Sequence, residues 1–438
     1  MLRPHIVILG AGFGGTYVGK KLARLAKAGE IDLTIVNRTN YFLFTPLLHE
    51  VATGSLSPRS VAEPLREVFV GMQTRIIQGV VDTIDLEKQA VKIASGPGNA
   101  AFSIEYDYLV ISTGAETNYY GIPGADRLAL PLKTLSDAAR IRNRIIDAFE
   151  TATLTIDKAE RARALSFVVV GGGPTGVEVA GELAELVANM VKRYFSHTKD
   201  CDPNDPGHCS PEEPTIALVD TGPAILSMFS PKLQAEAAER LKAAGVSIHQ
   251  NTKVTEVTPQ GLRLGDGSLL SAGTVIWAAG VKPVVPHFEG DAQPELVAGR
   301  LAVNGSFQLK GQSKVFVLGD TAGYIDSHDV KKAAPAPRPV PQLAQVAVAE
   351  ARIVAGNILA AIQGKDLSDF HYHSKGSMVS VGQWFAVGEI FSMKIAGPFT
   401  WWLWRTVYLF KFASWRKRVR IALEWAFELI SPRDITKV

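Results

Sequence analysis

Two clusters of glycines carry the first chemical signal in the chain. Gly10, Gly12 and Gly15 stand in HIVILGAGFGG, residues 5–15, with Gly14 beside the last of them. Gly171, Gly173 and Gly176 repeat the same GxGxxG spacing in FVVVGGGPTGVEVAGEL. At this spacing the first glycine allows a sharp turn, the second lets backbone N–H groups approach a pyrophosphate, and the third lets a helix pack closely on the strand before it. The anion is then held at a helix N-terminus, where unsatisfied N–H groups and the helix dipole attract it. Each cluster therefore predicts a dinucleotide site.

A second position separates the two sites. The strand-like run IDLTIV ends at Asn37, where an acid usually holds an adenosine ribose; Asn37 can hydrogen-bond but brings no charge, which points to FAD. After the second cluster the run TIALVD ends at Asp220, whose carboxylate would bind the ribose 2′-hydroxyl of a nicotinamide nucleotide and repel a 2′-phosphate, favouring NADH over NADPH. Each half then closes on an apolar strand with terminal small residues, YDYLVISTG ending in Thr113 and Gly114, and GTVIWAAG ending in Ala279 and Gly280. The intervals Gly10 to Gly114 and Gly171 to Gly280 are nearly equal, so the chain reads as an internal duplication.

These residues need particular elements beneath them. Branched apolar runs before each glycine cluster predict buried parallel strands, and the segments after them predict helices. Further strands are expected at Thr74–Ile77 and Ala90–Ile93, and a helix over 133–163 with Ser136 as its N-cap. KVFVLGD, residues 314–320, reads as a strand whose Asp320 could accept a cofactor hydroxyl; Leu343–Ile362 reads as a helix after a Pro-rich, extended segment. Residues 40–58, apolar and aromatic without clean periodicity, suit either a buried connection or a wall over a flat aromatic cofactor. In the helix after the second glycine turn, Glu178 and Glu182 are four apart and share a face; complementing the helix dipole is their plain reading.

The chain has 438 residues, too many for one ordinary core, and 46 basic against 43 acidic side chains, a balance that argues against a nucleic-acid partner. Its two cysteines, Cys201 and Cys209, lie in a polar stretch with His208 and match no zinc spacing, so no metal is expected. With a strand starting by residue 5 no signal peptide is expected, and no run of uncharged apolar residues is long enough to predict a spanning helix.

The C-terminus breaks the charge balance. Between Ile390 and Leu423 there are seven basic residues and no acidic one. Placed on one helix over 399–422, Trp401, Trp404, Tyr408, Phe412 and Trp415 form a narrow stripe, with Arg405, Arg416 and Arg420 along one side and Lys411 and Arg418 along the other. Rings at headgroup depth flanked by cations predict binding to an anionic membrane surface; packing on the protein's own core or on a second copy, as in a homodimer, is the alternative.

Through GAGFGG, NRTNYFLFTPLLHEVATG, YLVISTGAETNYYGIPG, GGGPTGVEVAGEL, VIWAAGVKP, VLGD and the aromatic, basic C-terminus, the chain resembles the type II NADH:quinone oxidoreductases over nearly its whole length. The resemblance implies an α/β fold with two Rossmann-like dinucleotide-binding domains and a C-terminal amphipathic helical membrane-anchoring region. Residues 1–118 with 285–390 would bind FAD, 119–284 would bind NADH, and 391–438 would lie on the cytoplasmic face of the membrane as a peripheral anchor. It also implies non-covalent FAD, hydride transfer from NADH, and reduction of a membrane quinone without proton pumping. Glu178 would lie near the nicotinamide, Asp320 by the ribityl chain, and Thr45, Pro46 and Leu47 by the isoalloxazine, the last two on the quinone side. The family's AQxAxQ pattern appears as Ala344-Gln345-Val346-Ala347-Val348-Ala349: Gln345 matches, and Ala349 removes one possible hydrogen bond to a quinone carbonyl.

Sulfide:quinone and disulfide reductases share the architecture but need thiols beside the flavin, and Cys201 and Cys209 fall in the other half. A reductase of a naphthoquinone precursor in quinone biosynthesis, able to use NADPH, and a sensor that binds NADH and FAD without turnover remain as rivals. The charge on Asp220 predicts that kcat/KM is at least about tenfold higher with NADH than with NADPH. Steady-state kinetics with both nucleotides check this, and an NADPH preference would contradict it.

Overall fold

A computed structural model describes residues 3–95, 101–195, 213–291, 293–326, 339–391, 393–412, 414–429, 431 and 433–437. The helices used below are α1 (Phe13–Ala28), α2 (Leu48–Ala52), α3 (Leu135–Leu154), α4 (Pro174–Met190), α5 (Ala344–Ile362), α6 (Pro398–Lys411) and α7 (Trp415–Glu428). The chain forms two compact units. The first is Met1–Leu43, Ala62–Glu116 and Val281–Ser374; the second is Phe44–Val61, Thr117–Gly280 and Lys375–Val438.

In the first unit, five parallel strands run in the order Val315–Val317, Tyr108–Ile111, His5–Leu9, Asp32–Asn37, Thr74–Gln78. Ile6, Val7, Ile8 and Leu9 are all fully buried, as expected for a strand covered on both faces. Leu9 pairs with Val36 on one side and Ile111 on the other, and Ile111 pairs with Val317. Four strand ends thus lie level, and the loops that leave them share one edge. In the second unit the order is Leu130–Pro131, Thr274–Trp277, Ser166–Val170, Thr215–Val219, Val246–His249, again all parallel. Val170 pairs with Val219 and with Trp277. The glycine-bearing strand is central in both sheets and has the same two kinds of neighbour, so the duplication read in the sequence is a duplication of fold.

The glycine turns show why two of the three positions admit no side chain. A Cβ on Gly15 would come within 1.9 Å of the Gly10 carbonyl oxygen, and one on Gly176 within 1.8 Å of that of Gly171. Gly10 and Gly171 themselves have φ of +93° and +114°, conformations that disfavour L side chains. By contrast, a Cβ on Gly12 or Gly173 would meet no protein atom within 4 Å. The protein's own atoms therefore place no steric demand for glycine at these two positions.

The helix expected over 133–163 is two helices, α3 and Lys158–Ala164, with Asp157 capping the second through the amides of Ala159 and Glu160. Ser136 is not the N-cap of α3. Thr134 accepts from the Asp137 amide, and the Asp137 carboxylate accepts from the Thr134 amide at 2.9 Å, a reciprocal box that satisfies two free amides together. The C-terminal stripe is also not one helix: α6 and α7 are separated around Phe412–Ser414, and a fresh helix begins at Trp415. Cys201, His208 and Cys209, and most of the Pro-rich segment, lie outside the described residues.

Helix α5 is apolar and long enough to cross a membrane by composition alone, with mean hydropathy 1.4. It instead lies against α1 and buries Val346, Ala347, Ala351, Val354, Ala355 and Ile358, the role of a core helix. Glu350 sits on the same buried face. Its Oε2 accepts the Gly319 amide at 2.6 Å, and its Oε1 has no hydrogen-bond partner among the described residues. Burial, partly offset by the Gly319 amide, pushes this carboxyl up from 4.5 to about 8.

The native state therefore holds a proton that the unfolded chain releases near pH 4.5. The associated stability is present at low pH and is lost as pH rises toward about 8. Glu350→Gln keeps the acceptor for Gly319 without the titration. It should gain thermal stability relative to the parent as pH is raised from 5 to 8.5, by roughly 2–4 °C per kcal/mol. Parallel melting curves of parent and variant across that range test this; a difference that stays constant with pH would contradict it.

Candidate functional site

The first unit gathers the expected FAD residues on the carboxyl edge of its sheet, the place where parallel α/β sheets bind ligands. Helix α1 starts at Gly12 with no side-chain cap and no acid in its first turn, which leaves its leading N–H groups available to an anion. The contrast with α3, whose start is capped by Thr134, is informative. Asn37, at the end of its strand, accepts the Ala11 amide at 2.8 Å and donates to the Thr39 carbonyl at 2.8 Å. The side chain at the ribose position thus also holds the glycine turn in shape.

Thr113 donates to the Val284 carbonyl at 2.5 Å, and its hydroxyl lies 3.1 Å from that of Thr321. The Gly114 amide donates to the same Thr321 hydroxyl at 3.0 Å. Asp320 belongs to the short 3-10 turn Gly319–Thr321, which Glu350 holds from one side and Gln342 from the other, through the Asp320 carbonyl at 3.1 Å. Ala344 opens α5, with Gln345 and Ala349 half-buried in its first turns. An open-backed glycine turn, an uncapped helix start and a ring of hydroxyls and carboxylates on one edge fit a dinucleotide's pyrophosphate and polyol.

The second unit repeats the arrangement. Helix α4 starts at Gly173, again with no side-chain cap. Asp220 accepts the Gly172 amide through one carboxylate oxygen and the Gly222 amide through the other, both at 2.6 Å. It matches Asn37 in brace and position, and it adds the charge that Asn37 lacks. Ala279 and Gly280 follow the paired strand end; Tyr120 donates to the Ala279 carbonyl at 3.2 Å, and a Cβ on Gly280 would lie 2.3 Å from the Tyr120 hydroxyl. Thr45, Pro46 and Leu47 form a 3-10 turn in this unit; Leu47 is fully buried and the other two half-buried.

Glu178 and Glu182 do not act as surface residues complementing a dipole. Both are buried, at 7% and 3% exposure. Burial raises the Glu178 carboxyl well above the usual range, with the charges of Glu50 and Glu182 adding to the effect. His49 lies beside it, Nδ1 to Oε2 3.6 Å. Burial, then the nearby Arg433, lowers the His49 pKa to about 3, so the imidazole is neutral at physiological pH. Sequence patterning singled out none of His49, Glu50, Glu185, Glu428 and Arg433, and it placed Arg405 beside a lipid-facing stripe. Their only signal is a charged residue in an otherwise apolar run, as at Glu50.

The membrane-facing assignment needs correction. Trp401, Trp404 and Phe412 are 1%, 0% and 2% exposed, and Arg405 is also buried, so these four face the interior. Arg405 lies 3.9 Å over the Trp401 ring and 4.8 Å over Trp425, and it pairs with Glu428 at 2.9 Å. Tyr408 is half-buried, between Trp404 and Phe44. The break between α6 and α7 allows this, because α7 turns back and supplies Trp425 and Glu428 to the inner face of α6. Of the expected residues, Lys411, Trp415, Arg416 and Arg420 remain exposed. A different apolar face is open: Phe399, Trp402 and Phe410 on α6, and Trp415, Val419, Leu423 and Phe427 at four-residue spacing on α7.

A family model described as pyridine nucleotide-disulphide oxidoreductase matches residues 4–351, and one described as the NDH2 C-terminal domain matches 374–434. The type II NADH:quinone oxidoreductases NdhA and Ndh of Mycobacterium tuberculosis are each 33% identical to this chain, over 98% of it and over 87% and 89% of their own lengths. A structure of NDH2 from Plasmodium falciparum in complex with NADH superposes with a TM-score of 0.87 at 22% identity, covering all of both chains. The sulfide:quinone oxidoreductase of Aquifex aeolicus gives 0.69 at 18%, over 98% of this chain and 94% of that one. At such identities these two speak for the fold alone. The near full-length identity to the mycobacterial enzymes, together with both family models, shows that this chain belongs to the type II NADH:quinone oxidoreductase family.

Proposed function

We infer that the chain is a single-subunit flavoprotein that oxidises NADH and reduces a membrane quinone without pumping protons. Family membership supports FAD and NADH as its cofactors and NADH:quinone oxidoreduction as its activity. The observation that carries the reading at the level of residues is the pair of uncapped helix starts at Gly12 and Gly173, each on the carboxyl edge of a parallel sheet. We assign FAD to the first, with Gly10, Gly12, Gly14, Gly15, Asn37, Thr113, Gly114 and Asp320 around it. NADH goes to the second, with Gly171, Gly173, Gly176, Asp220, Ala279 and Gly280. FAD, when bound, would supply the hydride acceptor for NADH and the two-electron donor for the quinone. The protein binds and orients both nucleotides; Glu178, whose carboxyl burial raises well above the usual range, is assigned a place near the nicotinamide. Ala344, Gln345 and Ala349 in the first unit, and Pro46 and Leu47 in the second, are our quinone-side assignments.

The exposed face of α6 and α7 is our membrane-binding surface. Its rings and aliphatic side chains lie among Lys411, Arg416 and Arg420, a pattern suited to an anionic leaflet such as the cytoplasmic one. Family proteins associate with membranes, and a second copy covering this face is the competing occupant.

Two outcomes are expected. The purified protein shows an oxidised-flavin spectrum that NADH bleaches without oxygen and that a short-chain quinone restores; colourless protein that stays apo with added FAD would end the reading. Trp415→Ser with Phe427→Ser should weaken binding to anionic vesicles at least about tenfold, with flavin content and oligomeric state unchanged. A sedimentation assay with light scattering separates this from a lost dimer interface.

A further inference from the structure

Tyr119 and Tyr120 are neighbours in the second unit with opposite surroundings. The Tyr119 ring lies 5.9 Å from that of Trp277 and packs on the buried cluster around it. The Tyr120 ring is 60% exposed. A lone exposed aromatic ring needs no explanation by itself, but this one is held in place at a cost.

The cost is in the backbone. The Ile122 amide donates to the Tyr119 carbonyl at 3.0 Å and closes a turn whose two central residues, Tyr120 and Gly121, have φ of +53° and +69°. A turn with two positive φ values favours asparagine, aspartate or glycine at its first central position, and a bulky ring there is strained. The surrounding chain nevertheless fixes it. The Asn118 side chain accepts the Tyr120 amide at 2.9 Å. The Asn118 amide donates to the Gly280 carbonyl at 3.0 Å, and the Asn118 carbonyl accepts from the Trp277 indole at 2.9 Å. The phenol donates to the Ala279 carbonyl, and the three nearest atoms to a Cβ built on Gly280 all belong to the Tyr120 phenol. The ring thus occupies the space that a side chain at 280 would take.

Strand order decides which half of a dinucleotide this ring would meet. The central strand Ser166–Val170 leads into the glycine turn, with Thr215–Val219 on one side and Thr274–Trp277 on the other. Asp220 follows the first neighbour and Ala279 and Gly280 follow the second, so they lie on opposite sides of the turn. With the pyrophosphate at the start of α4 and the adenosine ribose at Asp220, the nicotinamide half falls on the side of Ala279. Ala279 abuts the turn itself, since a Cβ on Gly171 would lie 2.7 Å from its Cα.

We propose that Tyr120 is an NADH-positioning residue whose exposed ring packs on the nicotinamide ribose, an inference that rests on NADH occupying the second glycine turn and names one contact within it. Strain maintained at an exposed position has a purpose when a ligand covers the ring, because the contact forms only in the complex. The hydroxyl, by donating to Ala279, aims the ring.

Tyr120→Asn removes the ring and supplies a residue suited to positive φ. The variant should keep its flavin and melt at or above the parent temperature. Binding of NAD⁺ to the oxidised holoprotein, read by titration calorimetry, should weaken about tenfold. KM for NADH should rise by a similar factor with kcat within about twofold of the parent. The inhibition constant of 5′-AMP, which carries only the adenosine half, should stay within about twofold. Tyr120→Phe, which keeps the ring, should bind NAD⁺ within about threefold of the parent.

Unchanged NAD⁺ affinity and KM in Tyr120→Asn would overturn the proposal. So would a lower melting temperature, or a loss of 5′-AMP binding in step with NAD⁺, since either makes Tyr120 a residue that shapes the unit rather than one that meets the nucleotide. A parent protein that binds neither NAD⁺ nor NADH would instead overturn the nucleotide assignment itself.

Discussion

The structure depends first on how closely a helix backbone can approach the end of a parallel strand. At both glycine turns the third glycine sits so near the carbonyl of the first that no Cβ fits, and this contact sets where α1 and α4 begin and where their leading amides point. Level pairing of the neighbouring strands then brings Asn37, Thr113 and Asp320 to the edge of one sheet, and Asp220, Ala279 and Gly280 to the edge of the other. Asn37 and Asp220 brace equivalent turns through equivalent amides. One carries charge and the other does not, so a single duplicated frame can distinguish two nucleotides.

The helix starts make the same point from the opposite side. At the start of α3, Thr134 and Asp137 satisfy two free amides reciprocally. Helices α1 and α4 begin at glycines with no such cap, and that omission costs stability in the free protein. The proposed nucleotide sites supply a reason for the omission, with an anion in the place of the cap and a local rule giving way at a functional position.

In the second unit the C-terminal helices have two faces with different tasks. The inner face encloses Arg405 between Trp401 and Trp425 and closes over the acids of α2 and α4, with Arg433 as the central cation. The outer face is apolar with basic residues among the rings. Because the cations that appeared to flank a lipid-facing stripe are partly used inside, the surface available to a membrane is smaller in charge and differently placed than periodicity alone implies. A buried ion pair of this kind is weak evidence for stability and stronger evidence for a specific arrangement.

Periodicity, glycine spacing and the two ribose positions were enough to establish a duplicated α/β fold, both dinucleotide turns and the difference between them, because each depends on interactions within a few dozen residues. The N-cap at Thr134 was within reach of the same rules, and a competing serine two residues on obscured it. The carboxyl cluster and the true exposed face were not legible. Glu50, Glu182, Glu428 and Arg433 are far apart in the chain, and nothing local marks a glutamate as buried or an arginine as its partner. The break near Phe412 decides which side of each C-terminal helix faces inward, and the helical period describes both sides equally well. Tertiary packing settled these points, since only the folded second unit determines which charges leave water and which rings stay in it.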